Sequence, residues 1–271
     1  MSTSWPFQSI GNSSHPTLIF LHGFLGRGAD WLPVAKELAS EFRCLLPDLP
    51  GHGANTDLDP TAPLTFDRLA GDLARTLDTA GAGRPVLIGY SLGGRLALHF
   101  ACRFPGRLSA LVLESASPGL RTEQERSARR ALDDARAAQL LQAGLPGFLK
   151  DWYRAGLWES LRTRPDLLAP LVRARSDMDP AWAAKTIADL SPGRMAPLWD
   201  RLPALRVPTL LLAGSLDPDY RAIAAETAAR IPGSEFVCIE DAGHNIHLEQ
   251  PGLFAGTLRG FIEPDLDDLF R

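Results

Sequence analysis

Lysine is nearly missing from this chain. Lys36, Lys150 and Lys185 are the only three in 271 residues, so arginine carries nearly all the positive charge. The formal net charge of −4 leaves no basic excess, which argues against nucleic acid or an anionic membrane as the main partner. Cysteine is equally scarce. Cys44, Cys102 and Cys238 are odd in number, widely spaced and each set in an apolar segment. Buried free thiols in a reducing cytoplasm are therefore expected, and their spacing is not that of metal ligands. No long hydrophobic run occurs. The longest, Leu18 to Leu25, is broken by His22 and Gly23 and is too short to span a bilayer. Met1-Ser-Thr-Ser-Trp-Pro-Phe lacks a basic and then an apolar region, so no secretory signal is expected. Internal repeats, low-complexity tracts, and dinucleotide and zinc motifs are also missing, and no metal or organic cofactor is expected. What remains is an ordinary globular composition, 45% apolar, in a chain long enough for one sizeable core plus an insertion.

Within it, Gly89-Tyr90-Ser91-Leu92-Gly93 follows the aliphatic run Arg84-Pro-Val-Leu-Ile and precedes Gly94-Arg-Leu-Ala-Leu-His-Phe-Ala-Cys, which has helical character. Strand, Gly-x-Ser-x-Gly and helix make a nucleophile elbow, with the serine in strained backbone geometry and small residues where strand and helix fold back on each other. The flanking chain alternates in the same way. Pro16 to Leu21, Arg43 to Pro47, Leu108 to Ser115, Pro208 to Gly214 and Glu235 to Ile239 read as buried strands. Asp30 to Phe42, Thr65 to Ala80, Tyr220 to Ile231 and Pro251 to Ile262 read as helices, with Thr65 as an N-cap and Gly81 as a stop. A mostly parallel sheet covered on both faces is the economical architecture. From Pro118 to Pro197 no strand pattern appears. That stretch carries a net charge of +3 against −7 for the remainder, and it reads as a helical lid inserted into the core. The domains expected are residues 1–117 and 198–271 as the core and 118–197 as the lid, with a loosely held acidic tail after Glu263.

A serine hydroxyl needs a neighbour to take its proton. His244 in Ala242-Gly-His-Asn-Ile-His247 follows the last strand, and Asp217 in Gly214-Ser-Leu-Asp-Pro-Asp219 follows the strand before it. The order Ser91, Asp217, His244 is that of the α/β-hydrolase triad. Asp219 and His247 are the rivals; Gly243 gives His244 the tighter turn. The backbone N–H groups of Phe24, in the turn after the first of these strands, and Leu92 are the candidate oxyanion donors, with the helix dipole behind Leu92. His22 and His52 are expected to be structural, with His22 packed beneath the turn and bonded to backbone.

These residues point to the α/β-hydrolase superfamily over essentially the whole chain. Gly89-Tyr-Ser-Leu-Gly-Gly-Arg95, Glu114-Ser-Ala-Ser-Pro-Gly-Leu-Arg-Thr-Glu-Gln-Glu-Arg-Ser-Ala-Arg-Arg130, Asp151-Trp-Tyr and Gly243-His-Asn-Ile-His resemble one family within it. That family is the 2-succinyl-6-hydroxy-2,4-cyclohexadiene-1-carboxylate synthases of menaquinone and phylloquinone biosynthesis. The resemblance implies a lyase that removes a ring proton and eliminates pyruvate from a small anionic cyclohexene-carboxylate, with Ser91 as the base and no acyl-enzyme. Arg95, four residues after Ser91, is placed to meet a substrate carboxylate, as a planar guanidinium fork suits. The resemblance adds Arg129, with Arg126 and Arg130 as rivals, together with Trp152 and Arg175 from the lid. Tyr90 either lends its hydroxyl to the pocket or fills the elbow. Two departures, Leu25 in place of a small polar residue and Pro218 directly after Asp217, touch the pocket's outer contacts.

Two other readings use the same residues. A carboxylesterase or carbon–carbon bond hydrolase would acylate Ser91, and its lid should be apolar, whereas Arg95, Arg121, Arg126, Arg129 and Arg130 favour a polyanion. A non-catalytic ligand-binding protein on this fold is disfavoured because no triad position is replaced. A cytoplasmic monomer is expected.

Overall fold

The computed structural model describes residues 4–57, 59 and 61–262; the expected acidic tail lies outside them. Among the described residues, seven strands form one sheet in the order β1-β3-β2-β4-β5-β6-β7. β1 (Phe7–Ile10) runs antiparallel at the edge beside β3 (Arg43–Pro47). β2 (Thr17–Leu21), β3, β4 (Val86–Tyr90), β5 (Ala110–Glu114), β6 (Thr209–Gly214) and β7 (Glu235–Ile239) are parallel. β1 has no counterpart in the sequence reading. Its four residues include Gln8 and Ser9, and only its pairing with β3 makes it a strand.

Alternation along the buried strands divides the core. Leu18 and Phe20 face one side of the sheet, and Ile19 and Leu21 face the other, as a two-residue repeat requires. On the first side lie α1 (Leu32–Leu38) and α9 (Pro251–Ile262). On the second lie α2 (Phe66–Thr79), α3 (Leu92–Arg103) and α8 (Pro218–Ala228). Thr65 caps α2 through a bond from the N–H of Arg68, and Gly81 follows with φ +60°. α1 is shorter than its apolar spacing suggests. The chain enters it through a 3₁₀ turn at Gly28–Trp31 and leaves after Leu38. Phe42 keeps a backbone bond to Leu38 and is buried against α1's own face, so its spacing marks burial rather than helix.

Between β5 and β6 the chain is helical: α4 (Glu123–Trp152), α5 (Glu159–Arg162), α6 (Pro165–Arg175) and α7 (Pro180–Asp189). α4 breaks at Gly144, whose φ of 72° and ψ of 171° are not helical, two residues before Pro146. These helices pack around a small core of their own that includes Leu140, Phe148, Trp158 and Leu161. No helix among the described residues is long and apolar enough to cross a membrane. Cys44 is buried, whereas Cys102 and Cys238 are only half-buried, a correction to the expectation for all three; each is a free thiol.

Candidate active site

The sheet changes direction of winding between β2 and β4, since the chain goes outward to β3 before returning to β4 on the other side. At such a switch the loops beyond the carboxyl ends of adjacent strands part and leave a crevice. Phe24 follows β2 and Ser91 follows β4, so both stand at this crevice. Ser91 holds φ +51° and ψ −107°, a conformation that a side chain rarely adopts and that persists only where surrounding packing enforces it. The glycines explain that packing. A Cβ at Gly89 would lie 2.5 Å from the carbonyl oxygen of Gly93, and one at Gly94 would lie 2.5 Å from Cβ of Ala116.

His244 lies beyond β7 and Asp217 beyond β6. Nε2 of His244 is 3.2 Å from Oγ of Ser91, and Nδ1 is 2.8 Å from Oδ2 of Asp217. An ionised Asp217 accepts the Nδ1 proton, which leaves Nε2 as the acceptor for the serine hydroxyl. The imidazole and carboxylate are nearly sealed from water, at 2% and 6% exposure. Tyr220, Trp158 and Tyr90 surround the imidazole, with ring centroids 4.5, 5.5 and 5.4 Å away. Pro218 is compatible with this arrangement because it is the first residue of α8, where its missing N–H is not needed. The other oxygen of Asp217 caps the same helix by accepting from the N–H of Tyr220 at 3.2 Å. Asp219 stays out of the chain of contacts. His247 instead gives its backbone N–H and Nδ1 to the carboxylate of buried Glu114, at 3.0 and 2.7 Å.

Phe24 and Leu92 both line the cavity. Leu92 is the first residue of α3, so its N–H has no acceptor within the helix and lies at the positive end of the dipole. His22 sits beneath the turn. Its Nδ1 is 2.8 Å from the carbonyl oxygen of Gly23, and Nε2 accepts from the N–H of Leu49 at 3.0 Å. Burial drives its pKa down to about 4, against the raising effect of the Gly23 carbonyl, and the accepting Nε2 requires the neutral ring. His52 is likewise buried, with Nδ1 3.0 Å from the carbonyl oxygen of Pro50.

The cavity above Ser91 encloses about 630 Å³, its open mouth included, and takes walls from both the sheet loops and the helical segment. Arg95 and Arg129 line one part, while Phe24, Trp152, Trp158 and Tyr220 provide aromatic surface. Arg95 donates from Nη1 to the carbonyl oxygen of Leu190 at 2.9 Å and lies over the Phe66 ring. Burial lowers its pKa to about 10, so it stays charged at neutral pH. Tyr90 also lines the cavity, but its buried hydroxyl has no hydrogen-bond partner among the described residues.

Four other arginines named from the sequence, Arg121, Arg126, Arg130 and Arg175, are engaged elsewhere. Arg175, expected at the substrate, does not line the cavity. It is 5% exposed and gives Nη1 and Nη2 to the two oxygens of Asp30, at 3.0 and 2.6 Å. This half-buried carboxylate competes for the same fork that a substrate would need. Arg126 and Arg130 pair with Glu123, and Arg121 pairs with Glu226 over the Trp199 ring. Thus the basic stretch reduces to Arg129 at the cavity itself. Trp158, Tyr220, Ser191 and Asp133 were not singled out from the sequence. Asp133 was legible only as the i+4 partner of Arg129. Among the described residues, no group of three or more His, Cys, Asp or Glu side chains converges as a metal ion would need.

Residues 18–257 match the α/β hydrolase family. The chain is 34% identical to a 2-succinyl-6-hydroxy-2,4-cyclohexadiene-1-carboxylate synthase of Serratia proteamaculans, over 93% of this chain and 95% of that one. It is 33% identical over 93% of its length to the chloroplastic protein PHYLLO of Arabidopsis thaliana, but spans only 16% of that much longer protein. The solved structure of MenH from S. aureus superposes with a TM-score of 0.92 at 34% identity, covering 97% of this chain and 99% of that one. With the elbow, the fold and these relatives in agreement, the chain belongs to the α/β hydrolase family and, within it, to the 2-succinyl-6-hydroxy-2,4-cyclohexadiene-1-carboxylate synthases.

Proposed function

We propose that this chain is a lyase that converts 2-succinyl-5-enolpyruvoyl-6-hydroxy-3-cyclohexene-1-carboxylate to 2-succinyl-6-hydroxy-2,4-cyclohexadiene-1-carboxylate and pyruvate. The observation that carries the reading is the continuous contact from Asp217 through His244 to Ser91 at the floor of a cavity that also holds Arg95 and Arg129. His244 takes the hydroxyl proton of Ser91, and the serine oxygen removes the ring proton. The electron pair of that C–H bond forms the new ring double bond as the C–O bond to the enolpyruvyl group breaks. The departing enolate takes up one proton at its methylene carbon and becomes pyruvate, and His244 gives up the proton it took from Ser91, directly or through solvent, so that the protons balance. Negative charge that builds during proton removal faces the N–H groups of Phe24 and Leu92. Arg95 and Arg129 hold substrate carboxylates, and Trp152 packs against the ring. Residues 118–197 serve as the lid, and the enzyme works as a cytoplasmic monomer.

The test supplies the enolpyruvyl substrate in situ from the preceding enzyme and follows pyruvate by a coupled dehydrogenase. Pyruvate release proportional to this protein is expected. Hydrolysis of aryl esters without pyruvate release would instead make the chain an acyl-transferring hydrolase.

A further inference from the structure

Asp133 is a carboxylate in the wrong place for a site that binds anions. It lines the cavity, is 0% exposed, and stands beside the cation expected to hold substrate. Its contacts resolve the contradiction. Oδ2 accepts from Nε of Arg129 at 2.7 Å and from Oγ of Ser191 at 2.7 Å, while Oδ1 accepts from Nη1 of Arg136 at 3.0 Å. Binding Arg129 through Nε leaves the two terminal nitrogens of its guanidinium for another acceptor. The guanidinium of Arg136 lies 5.4 Å from the centroid of the Trp152 ring, another wall of the cavity. Ser191 belongs to the turn after α7, next to Leu190, whose carbonyl oxygen receives Arg95. One buried carboxylate therefore ties together Arg129, the Arg136 contact with Trp152 and the turn that anchors Arg95.

We infer that Asp133 is a positioning residue for substrate binding, acting through Arg129 and, by way of Ser191, on the turn that fixes Arg95. The inference rests on the proposed function for the identity of the ligand, but not for the geometry. Two guanidinium charges face one carboxylate, so the cluster stays cationic while each fork is held in one orientation. Long arginine side chains otherwise lose considerable rotamer freedom on binding, and a fork fixed beforehand avoids that cost.

The sign of the effect separates positioning from simple charge. Asp133→Asn removes a negative charge near an anion site, so a purely electrostatic role predicts a lower KM for the tricarboxylate. Positioning predicts a KM about tenfold higher, with kcat within about threefold and little change in KM for a neutral aryl ester. Arg129→Ala added to Asp133→Asn should raise KM little further, because both changes disable the same fork. A lower or unchanged KM, or fully additive losses, overturns the inference. Should Asp133→Asn not fold, Ser191→Ala removes one bond to Oδ2 without stranding a charge. It should raise KM about threefold, and no change counts against the proposal. A crystal structure of Asp133→Asn gives an answer independent of activity: Arg129 should leave its place, and an unmoved guanidinium sinks the idea. Failure of the wild type to release pyruvate would count against the proposed function alone.

Discussion

Ser91 combines a positive φ with a half-buried hydroxyl 3.2 Å from an imidazole nitrogen. Replacing it with alanine keeps the backbone constraint and removes the hydroxyl oxygen proposed to accept the ring proton. Ser91→Ala should therefore lower pyruvate release by about a thousandfold or more while leaving the thermal midpoint within a few degrees of wild type. Near-normal turnover in that variant rules out the serine as base. Arg95 offers a second test. Its loss should raise KM for the tricarboxylate by roughly 10- to 100-fold, in line with one charged hydrogen-bonded contact, and should leave a neutral ester nearly unaffected. Equal impairment on both substrates would mean that Arg95 acts mainly by holding Leu190. Residue types and strand ends were enough to pick out Ser91, Asp217 and His244. They were not enough to sort arginines, because a guanidinium that lines the cavity and one that meets Asp30 have the same local sequence character.

At the level of elements, the elbow works because β4 and α3 approach each other and β2 without intervening side chains. A Cβ at Gly93 would fall 2.6 Å from the carbonyl oxygen of His22 and closer still to that of Leu21. Neither carbonyl can swing away, since both belong to the strand end and turn that carry Phe24. Gly93→Ala should cost about 1–3 kcal/mol of stability, seen as a lower urea midpoint, and should reduce activity in the remaining folded protein by shifting the Phe24 turn. An unchanged midpoint would show that α3 can move freely against β2. The buried strands were readable as unbroken aliphatic runs. β1 was not, because its hydrogen bonds to β3 come from residues more than thirty positions away along the chain, and nothing within Phe7–Ile10 announces them. The break of α4 at Gly144 is harder to read than its residues suggest: the Gly and Pro are visible, but nothing local to them says that φ turns positive there.

Across the whole molecule, the two structural histidines couple folding to pH. Burial pushes His22 down to about 4 and His52 to about 3, and their rings lie 5.0 Å apart. In the unfolded chain each takes a proton near pH 6.5. Between pH 6.5 and about 4 the unfolded state therefore binds more protons than the folded state, and stability falls as pH drops through that window. His22 alone accounts for roughly 3 kcal/mol by this linkage, and His52 adds to it without simple additivity. The urea midpoint should decline steadily from pH 6.5 to 4, and His22→Asn should flatten that decline even if it lowers stability at neutral pH. A pH-independent midpoint in the wild type would contradict the buried neutral rings.

The chain by itself determined the order of the buried parallel strands and the helices between them, the strained serine and the triad candidates. Each of these is written in short-range patterns: aliphatic runs, glycine spacing and residues just past strand ends. The tertiary structure alone decided which charged groups face the cavity and which neutralise one another. That choice depends on which carboxylate a folded backbone brings within about 3 Å of a guanidinium, as Asp30 reaches Arg175 and Asp133 reaches Arg129, and on the burial that makes an unpaired charge too costly to leave.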